Sequence, residues 1–292
     1  EDSAPAMTKR FPKQRGFSLV ELIIVMVLIG AIGGIIAMQI KPTLQGYLAV
    51  GKRAGLTDQA DSALRRIVTE VRSAVPNSLR LGNAQCLELV PSSDGGRYRA
   101  GPDVEPARTG EAFLDFDLPT NQFDVLTTFM AAPRPGDLIV VGNQNNSDVY
   151  QGVTGPNVRT IQQVAASPAA WMGERRLTLL EPLTIPNGYT GGRFVVVPGG
   201  QAVSYICTQG LDNGSGTGQL VRVVRPIAPG QVCNGIPANA PVLASKVERC
   251  EITYSPNQGA TQQSGFMQMQ LTLTDGGESV SLTIGAHVNN VP

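Results

Sequence analysis

The sequence predicts an α+β protein, with one long N-terminal helix leading into a C-terminal region rich in antiparallel β-strands. Three observations predict it. Residues 22–40 form an uncharged apolar run. Residues 44–75 then place apolar side chains at three- and four-residue steps, the spacing of one helix face. Beyond residue 76, short apolar segments alternate with clusters of Gly, Pro, Asn and Asp, the pattern of strands and turns.

The start of the chain is basic. Lys9, Arg10, Lys13 and Arg15 precede the apolar run, and Met7 is the expected translation start. A run of 19 residues is long enough to cross a bilayer as a helix. It is too long for the apolar part of an ordinary secretory signal, and no small-x-small pattern ends it. Glu21 stands almost at its mouth, where a carboxylate is costly in lipid unless it finds a partner.

The spacing suggests that partner. Cleavage between Gly16 and Phe17 would give Phe17 a new α-amino group. Glu21 then lies four residues along, about one helical turn or roughly 6 Å of rise. Near a low-dielectric boundary the two charges attract strongly, within one chain or between staggered chains. The plainer alternative is a signal anchor whose Glu21 reaches out to the membrane surface. Lys41, Lys52 and Arg53 flank the far end, so orientation rests more on the motif than on charge asymmetry.

From residue 41 the helix is expected to continue in amphipathic form to residue 75. Leu44, Tyr47, Leu48, Leu56, Ala60, Leu64, Ile67, Val68, Val71 and Val75 form the apolar stripe. Asp61 with Arg65, and Arg66 with Glu70, can pair across one turn. Gly46, Gly51 and Gly55 lower the propensity, and Thr57-Asp58 can restart the helix. Pro76-Asn77 stops it. The stripe needs a cover, most simply the chain's own sheet.

Residues 76–292 are expected to form one β-rich globular region. Strands are expected over 85–90, 97–100, 111–118, 137–141, 176–180, 193–197, 202–207, 219–225, 267–274 and 279–288. In 111–118, Leu114, Phe116 and Leu118 alternate with Asp115 and Asp117. Pro198-Gly199-Gly200 reads as a hairpin turn, as does Asp275-Gly276-Gly277 more strongly. Asp94-Gly95-Gly96 and Asp212-Asn213-Gly214 read as turns.

Four cysteines, Cys86, Cys207, Cys233 and Cys250, all follow the apolar run. None has C-x-x-C spacing and His287 is the one histidine, which argues against zinc and for two disulfides. Three connectivities exist. The expected one joins Cys207 to Cys233, closing a Gly/Pro-rich excursion, and Cys86 to Cys250, tying early strands to late ones; buried free thiols are the alternative.

The composition excludes several classes. Net charge is zero, which removes the electrostatic case for nucleic acid. No nucleophile elbow, phosphate loop or H-E-x-x-H motif occurs, so no catalytic residue, cofactor or metal is expected. His287 reads as structural. Asp115 and Asp117 would share one strand face, and two carboxylates are too few for calcium. Trp171 alone is weak grounds for a partner surface.

Gly16, Phe17, Ser18, Leu19 and Glu21, between a basic leader and an apolar helix, resemble the prepilin signal of type IV pilins and type II secretion pseudopilins. That resemblance implies a type IV pilin-like α+β fold: leader 1–16, membrane or filament-core helix 17–40, amphipathic continuation 41–75 and a periplasmic β-rich domain 76–292. It implies cleavage by prepilin peptidase after Gly16 and N-methylation of Phe17. It further implies a charge pair from Glu21 to the Phe17 amine of a neighbouring subunit. Partners would be other major and minor pilins and the inner-membrane assembly platform. The protein would span the inner membrane once before entering a pilus. Gly30, at the fourteenth mature position, lies where such helices often loosen; Pro42 comes later than their usual proline.

Within the family, several short segments are similar to the MshO-type minor pilin of the mannose-sensitive haemagglutinin (MSHA) pilus. They include Leu56-Thr57-Asp58-Gln59-Ala60-Asp61, Cys86-Leu87-Glu88-Leu89, Gly96-Arg97-Tyr98-Arg99, Val203-Ser204-Tyr205-Ile206-Cys207 and His287-Val288-Asn289-Asn290-Val291-Pro292. This resemblance implies a role in starting or capping the pilus. A J-like pseudopilin of type II secretion and a tip adhesin are the alternatives.

Overall fold

The computed structural model describes residues 16–230, 233, 235–258 and 264–291. The leader up to Arg15 therefore lies outside the described residues, as does Pro292. The chain divides into two compact units, one up to Gly51 and one from Lys52 onwards.

Helix α1, Leu19–Arg72, is unbroken through Gly30, Pro42 and the glycines at 46, 51 and 55. The loosening expected at Gly30 and the restart expected at Thr57-Asp58 are not seen. Thr57 Oγ1 instead donates to the Arg53 carbonyl one turn back at 2.8 Å. Arg72 in the last turn complements the negative end of the helix dipole. Past it, the Val75 N–H turns to the Val90 carbonyl at 2.8 Å, and Asn77 takes a left-handed φ of 59°.

In the first unit every apolar side chain from Phe17 to Ile40 is exposed. Leu44, Tyr47 and Leu48 are exposed as well, so the expected stripe does not begin to be buried until Leu56. From there the expectation holds. Leu56, Ala60, Ala63, Leu64, Ile67, Val68 and Val71 form one buried face.

The second unit packs that face onto a sheet. The strands are β1 Arg80–Asn83, β2 Cys86–Leu89, β3 Asp94–Arg97, β4 Thr120–Val125, β5 Leu138–Val141, β6 Val158–Ala166, β7 Arg175–Leu183, β8 Arg193–Val197, β9 Gln201–Cys207, β10 Leu211–Asp212, β11 Ser215–Gly216, β12 Gly218–Pro226, β13 Val242–Gln258, β14 Ser264–Asp275 and β15 Glu278–Asn289. The larger sheet has the order β1-β2-β9-β12-β13-β14-β15. A second sheet has the order β3-β8-β5-β6-β7-β4, and β10-β11 is a small ribbon. Pairing is antiparallel throughout.

Strand alternation explains the core. Leu87, Leu89, Val203, Tyr205, Leu220, Met267, Met269, Leu271 and Leu273 take alternate positions on their strands and cover the helix stripe. Phe123, Val125, Ile139, Val141, Leu177, Leu179, Phe194 and Val196 form the core of the second sheet. Val75, Val90, Leu138, Val140, Tyr150 and Val197 form a third cluster with Ala202 of the larger sheet. Helix, larger sheet and turns give the α+β, pilin-like architecture expected.

The second sheet is an insertion. β2 and β9 are hydrogen-bonded neighbours although the whole of β3–β8 lies between them in sequence. Pro198-Gly199-Gly200 therefore carries the chain from one sheet to the other and is not a hairpin turn. Two further expectations fail nearby. Asp94-Gly95-Gly96 is strand, because the bare glycine backbone fits closely against Phe194 and Thr127. Residues 111–118 form no strand: the Asp115 carboxylate accepts the Asp117 N–H at 2.9 Å and bends the chain. Leu114 is buried there while Phe116 and Leu118 are exposed, so Asp115 and Asp117 share no strand face.

Candidate functional site

The candidate site is the start of α1. Ser18 occupies the N-cap position, with Leu19, Val20 and Glu21 as the first three helical residues. The Glu21 N–H donates to Ser18 Oγ at 3.2 Å, and Glu21 Oε2 accepts the Ser18 N–H at 3.2 Å. This reciprocal pair is a capping box, which satisfies two backbone donors that a helix start otherwise leaves open. Ser18 Oγ also lies 3.2 Å from Glu21 Oε2. Its sequence signal, S-x-x-E over Ser18 to Glu21, is local, and the charge-pair expectation did not include it.

The box changes the geometry of the expected charge pair. Phe17 lies just before the N-cap, outside the helix, so the rise of one helical turn does not describe its distance to Glu21. Glu21 has one carboxylate oxygen on Ser18, and its other oxygen makes no hydrogen bond among the described residues. A carboxylate can accept several donors, so one bound to Ser18 retains capacity for an ammonium. Phe17 is 84 % exposed and Gly16 is exposed too, as a peptide that a protease must reach.

Behind the box runs a helix long and apolar enough to cross a membrane, with none of its apolar window buried. Nothing in the chain covers these side chains among the described residues. Such a surface is stable in lipid or against other helices, not in water.

Residues 11–37 match the family model described as the prokaryotic N-terminal methylation motif. The chain carries a prepilin-type methylation motif. The match contains Gly16, Phe17, Ser18 and Glu21 together with most of the apolar run. It supports the type IV prepilin and pseudopilin superfamily, and with the fold it points to a structural protein. No curated protein and no solved structure matches the chain.

The four cysteines form two disulfides, but not the expected pair. Cys86 bonds Cys233 and Cys207 bonds Cys250, with Cα–Cα distances of 5.8 and 6.3 Å. The faces of the larger sheet decide this. Cys207 and Cys250 point into the helix-side core. Cys86 lies opposite Ile206 on the other face, where Val221, Val223 and the loop bearing Cys233 pack. Cys207 packs in the helix-side core, whereas Cys233 packs beside Cys86 with the cluster on the other face.

Other singled-out residues are placed structurally. His287 is exposed on β15, its ring 5.2 Å from that of Phe266. Trp171 lies under the Arg108 guanidinium at 5.5 Å. Among the described residues, no cluster of three or more His, Cys, Asp or Glu side chains is placed to hold a metal.

Sequence reasoning also missed a polar knot in the larger sheet. Arg80 donates to Glu88 at 2.5 Å and stacks over the Tyr150 ring at 3.4 Å. Tyr150 O–H in turn donates to the Ser78 carbonyl at 2.7 Å. Burial and the neighbouring Glu88 carboxylate push the Tyr150 phenol far above its ordinary range, so it stays a neutral donor. The knot ties the inserted sheet to the larger one.

Proposed function

We propose that this chain is a minor pilin of an MSHA-like type IV pilus that helps to start or cap the filament. Prepilin peptidase cuts after Gly16 and methylates the Phe17 amine. The domains follow accordingly: leader 1–16, helix 17–40 in the inner membrane and then in the filament core, amphipathic continuation 41–75, and a periplasmic β-rich domain 76–292. Glu21 neutralises the Phe17 amine of a neighbouring subunit as the helix leaves the membrane. Its partners are prepilin peptidase, the assembly platform and other pilins.

One observation carries this reading. A methylation motif leads directly into a capped helix whose apolar side chains from Leu19 to Ile40 are all uncovered. Charge neutralisation supplies the physical reason for Glu21: a carboxylate entering a low-dielectric bundle of helices requires a cation. The short segments similar to the MshO-type pilin and the large two-sheet second unit support the minor-pilin role.

The test is the N-terminal mass of the protein co-expressed with prepilin peptidase. A methylated Phe17 terminus is expected; an intact leader would sink the reading. Glu21→Ala is expected to leave the protein in the membrane but absent from filaments. Incorporation into a secretion pseudopilus, and not a pilus, would replace the pilus assignment.

A further inference from the structure

We propose that Arg97 and Arg193 form an anion-recognition site for the carboxylate of an acidic segment on a partner protein. The site lies wholly in the second unit and is independent of the filament reading.

Arg97 on β3 and Arg193 on β8 are directly opposite each other in register. The backbone shows which kind of pair they form. The Tyr98 N–H donates to the Gly192 carbonyl at 3.1 Å, so the neighbouring step inward is a non-hydrogen-bonded pair. Consistently, the Arg97 carbonyl accepts from Leu126 at 2.8 Å, and the Arg193 N–H and carbonyl both turn to the Tyr189 hydroxyl. Non-hydrogen-bonded pairs bring Cβ atoms closest, and like charges directly opposite are destabilising.

Among the described residues nothing relieves that repulsion. Neither guanidinium has a carboxylate partner among the described residues, and both side chains are exposed. Elsewhere the chain does supply carboxylates to its arginines: Glu88 to Arg80, Asp124 to Arg176 and Glu70 to Arg222.

The two arginines open onto a cleft of about 460 Å³ that also includes Gly95, Val195, Asn289 and Val291. Gly95 and Val195 share the strand face of the arginines. A Cβ at Gly95 would meet the Phe194 carbonyl at 2.6 Å, so the floor stays bare backbone. Two guanidinium forks side by side suit an oxyanion, with charge-assisted bonds to both oxygens. Exposed charges are worth little by themselves. A free anion would therefore be held weakly, whereas a carboxylate carried on a polypeptide can also use the Val195 and Val291 walls and the Asn289 amide.

The experiment titrates the full chain, in detergent, with a capped peptide alternating Glu and Val. Binding is expected, weakening with added salt. The matching Gln/Val peptide is expected not to bind. Arg97→Gln and Arg193→Gln should each weaken binding about tenfold, and Arg193→Lys, which keeps charge but loses the fork, by less. Arg134→Gln, on a different loop, should change nothing. The double Arg97→Gln/Arg193→Gln variant should melt no lower than the parent, because a repulsion has been removed. Unchanged binding by that double variant would overturn the proposal, as would an equal loss in Arg134→Gln. Inorganic phosphate displacing the peptide at equal concentration would mean a free-anion site and would also overturn it.

Discussion

Arg222 on β12 places its Nε 3.0 and 3.1 Å from the two oxygens of Glu70 on α1, 152 residues away in sequence. Arg66, one turn back on the helix, adds a 3.3 Å contact to the same carboxylate. The pair pins the buried stripe of α1 to the middle of the larger sheet. Burial works against the Glu70 charge, but Arg222, the Tyr205 hydroxyl and Arg66 together outweigh it, and its pKa falls below the ordinary carboxylate range. A depressed pKa contributes stability that is full above the unfolded value, near 4.3, and is lost as pH falls through the folded one. Glu70→Gln is therefore expected to destabilise the protein by about 1–2 kcal/mol at pH 7, between exposed and buried pairs. Urea unfolding should show the gap between parent and variant closing as pH drops below about 4. A gap independent of pH would refute the assignment.

The helix half of that contact was legible in the sequence, and the sheet half was not. The spacing of Leu56, Ala60, Leu64, Ile67 and Val71 is set by 3.6-residue geometry alone, so it could be read directly. Hairpin β14–β15 was legible because Gly276 and Gly277 satisfy a two-residue turn. β13 was not. Its buried residues run Ala244, Val247, Cys250, Ile252, because bulges at Lys246 and before Arg249 twice break the period of two. The capping box was written in Ser18 and Glu21 as S-x-x-E, whereas the charge pair needs a second chain and a cut peptide. The Arg97–Arg193 pair depends on register between strands almost a hundred residues apart, which no local pattern reveals.

The disulfide map follows from sheet faces and is directly checkable. Non-reducing digestion should yield peptides joining Cys86 to Cys233 and Cys207 to Cys250. Replacing Cys207 and Cys250 together by alanine should cost about 2–5 kcal/mol, read from the urea midpoint. A Cys207–Cys233 peptide would contradict the placement of those side chains on opposite faces.

Ser18 does local work that can be separated from assembly. Ser18→Ala removes the N-cap and is expected to cost the first turn about 1 kcal/mol. Hydrogen exchange at the Glu21 amide should accelerate several-fold in detergent micelles, while amides in the sheet are unchanged. Ser18→Asn should restore most of the protection, since its side-chain oxygen caps as well. If Glu21 acts in assembly chiefly through its charge, Ser18→Ala should still enter filaments where Glu21→Ala does not. Equal loss of assembly in both would mean that the cap, and not the charge, is what assembly requires.

The turn between β14 and β15 sets the register of the longest hairpin, and its chemistry predicts a graded series. Gly276 and Gly277 have φ of 57° and 85°, left-handed values that favour glycine. The turn is held from outside as well: the Gly276 N–H donates to Ser215 Oγ at 3.0 Å and the Gly277 N–H to the Gly214 carbonyl at 2.8 Å. Asparagine tolerates the left-handed region, while a β-branched residue does not. Gly276→Asn should lower stability by a few tenths of a kcal/mol, and Gly276→Val by about 1–2 kcal/mol or more. Twelve strand pairs run from this turn without a bulge, so a misformed turn would shift the register of all of them. Thermal melts of the two variants should therefore fall in the order parent, Asn, Val. Equal melting temperatures for Asn and Val would mean that the outside bonds, and not backbone strain, hold the hairpin in register.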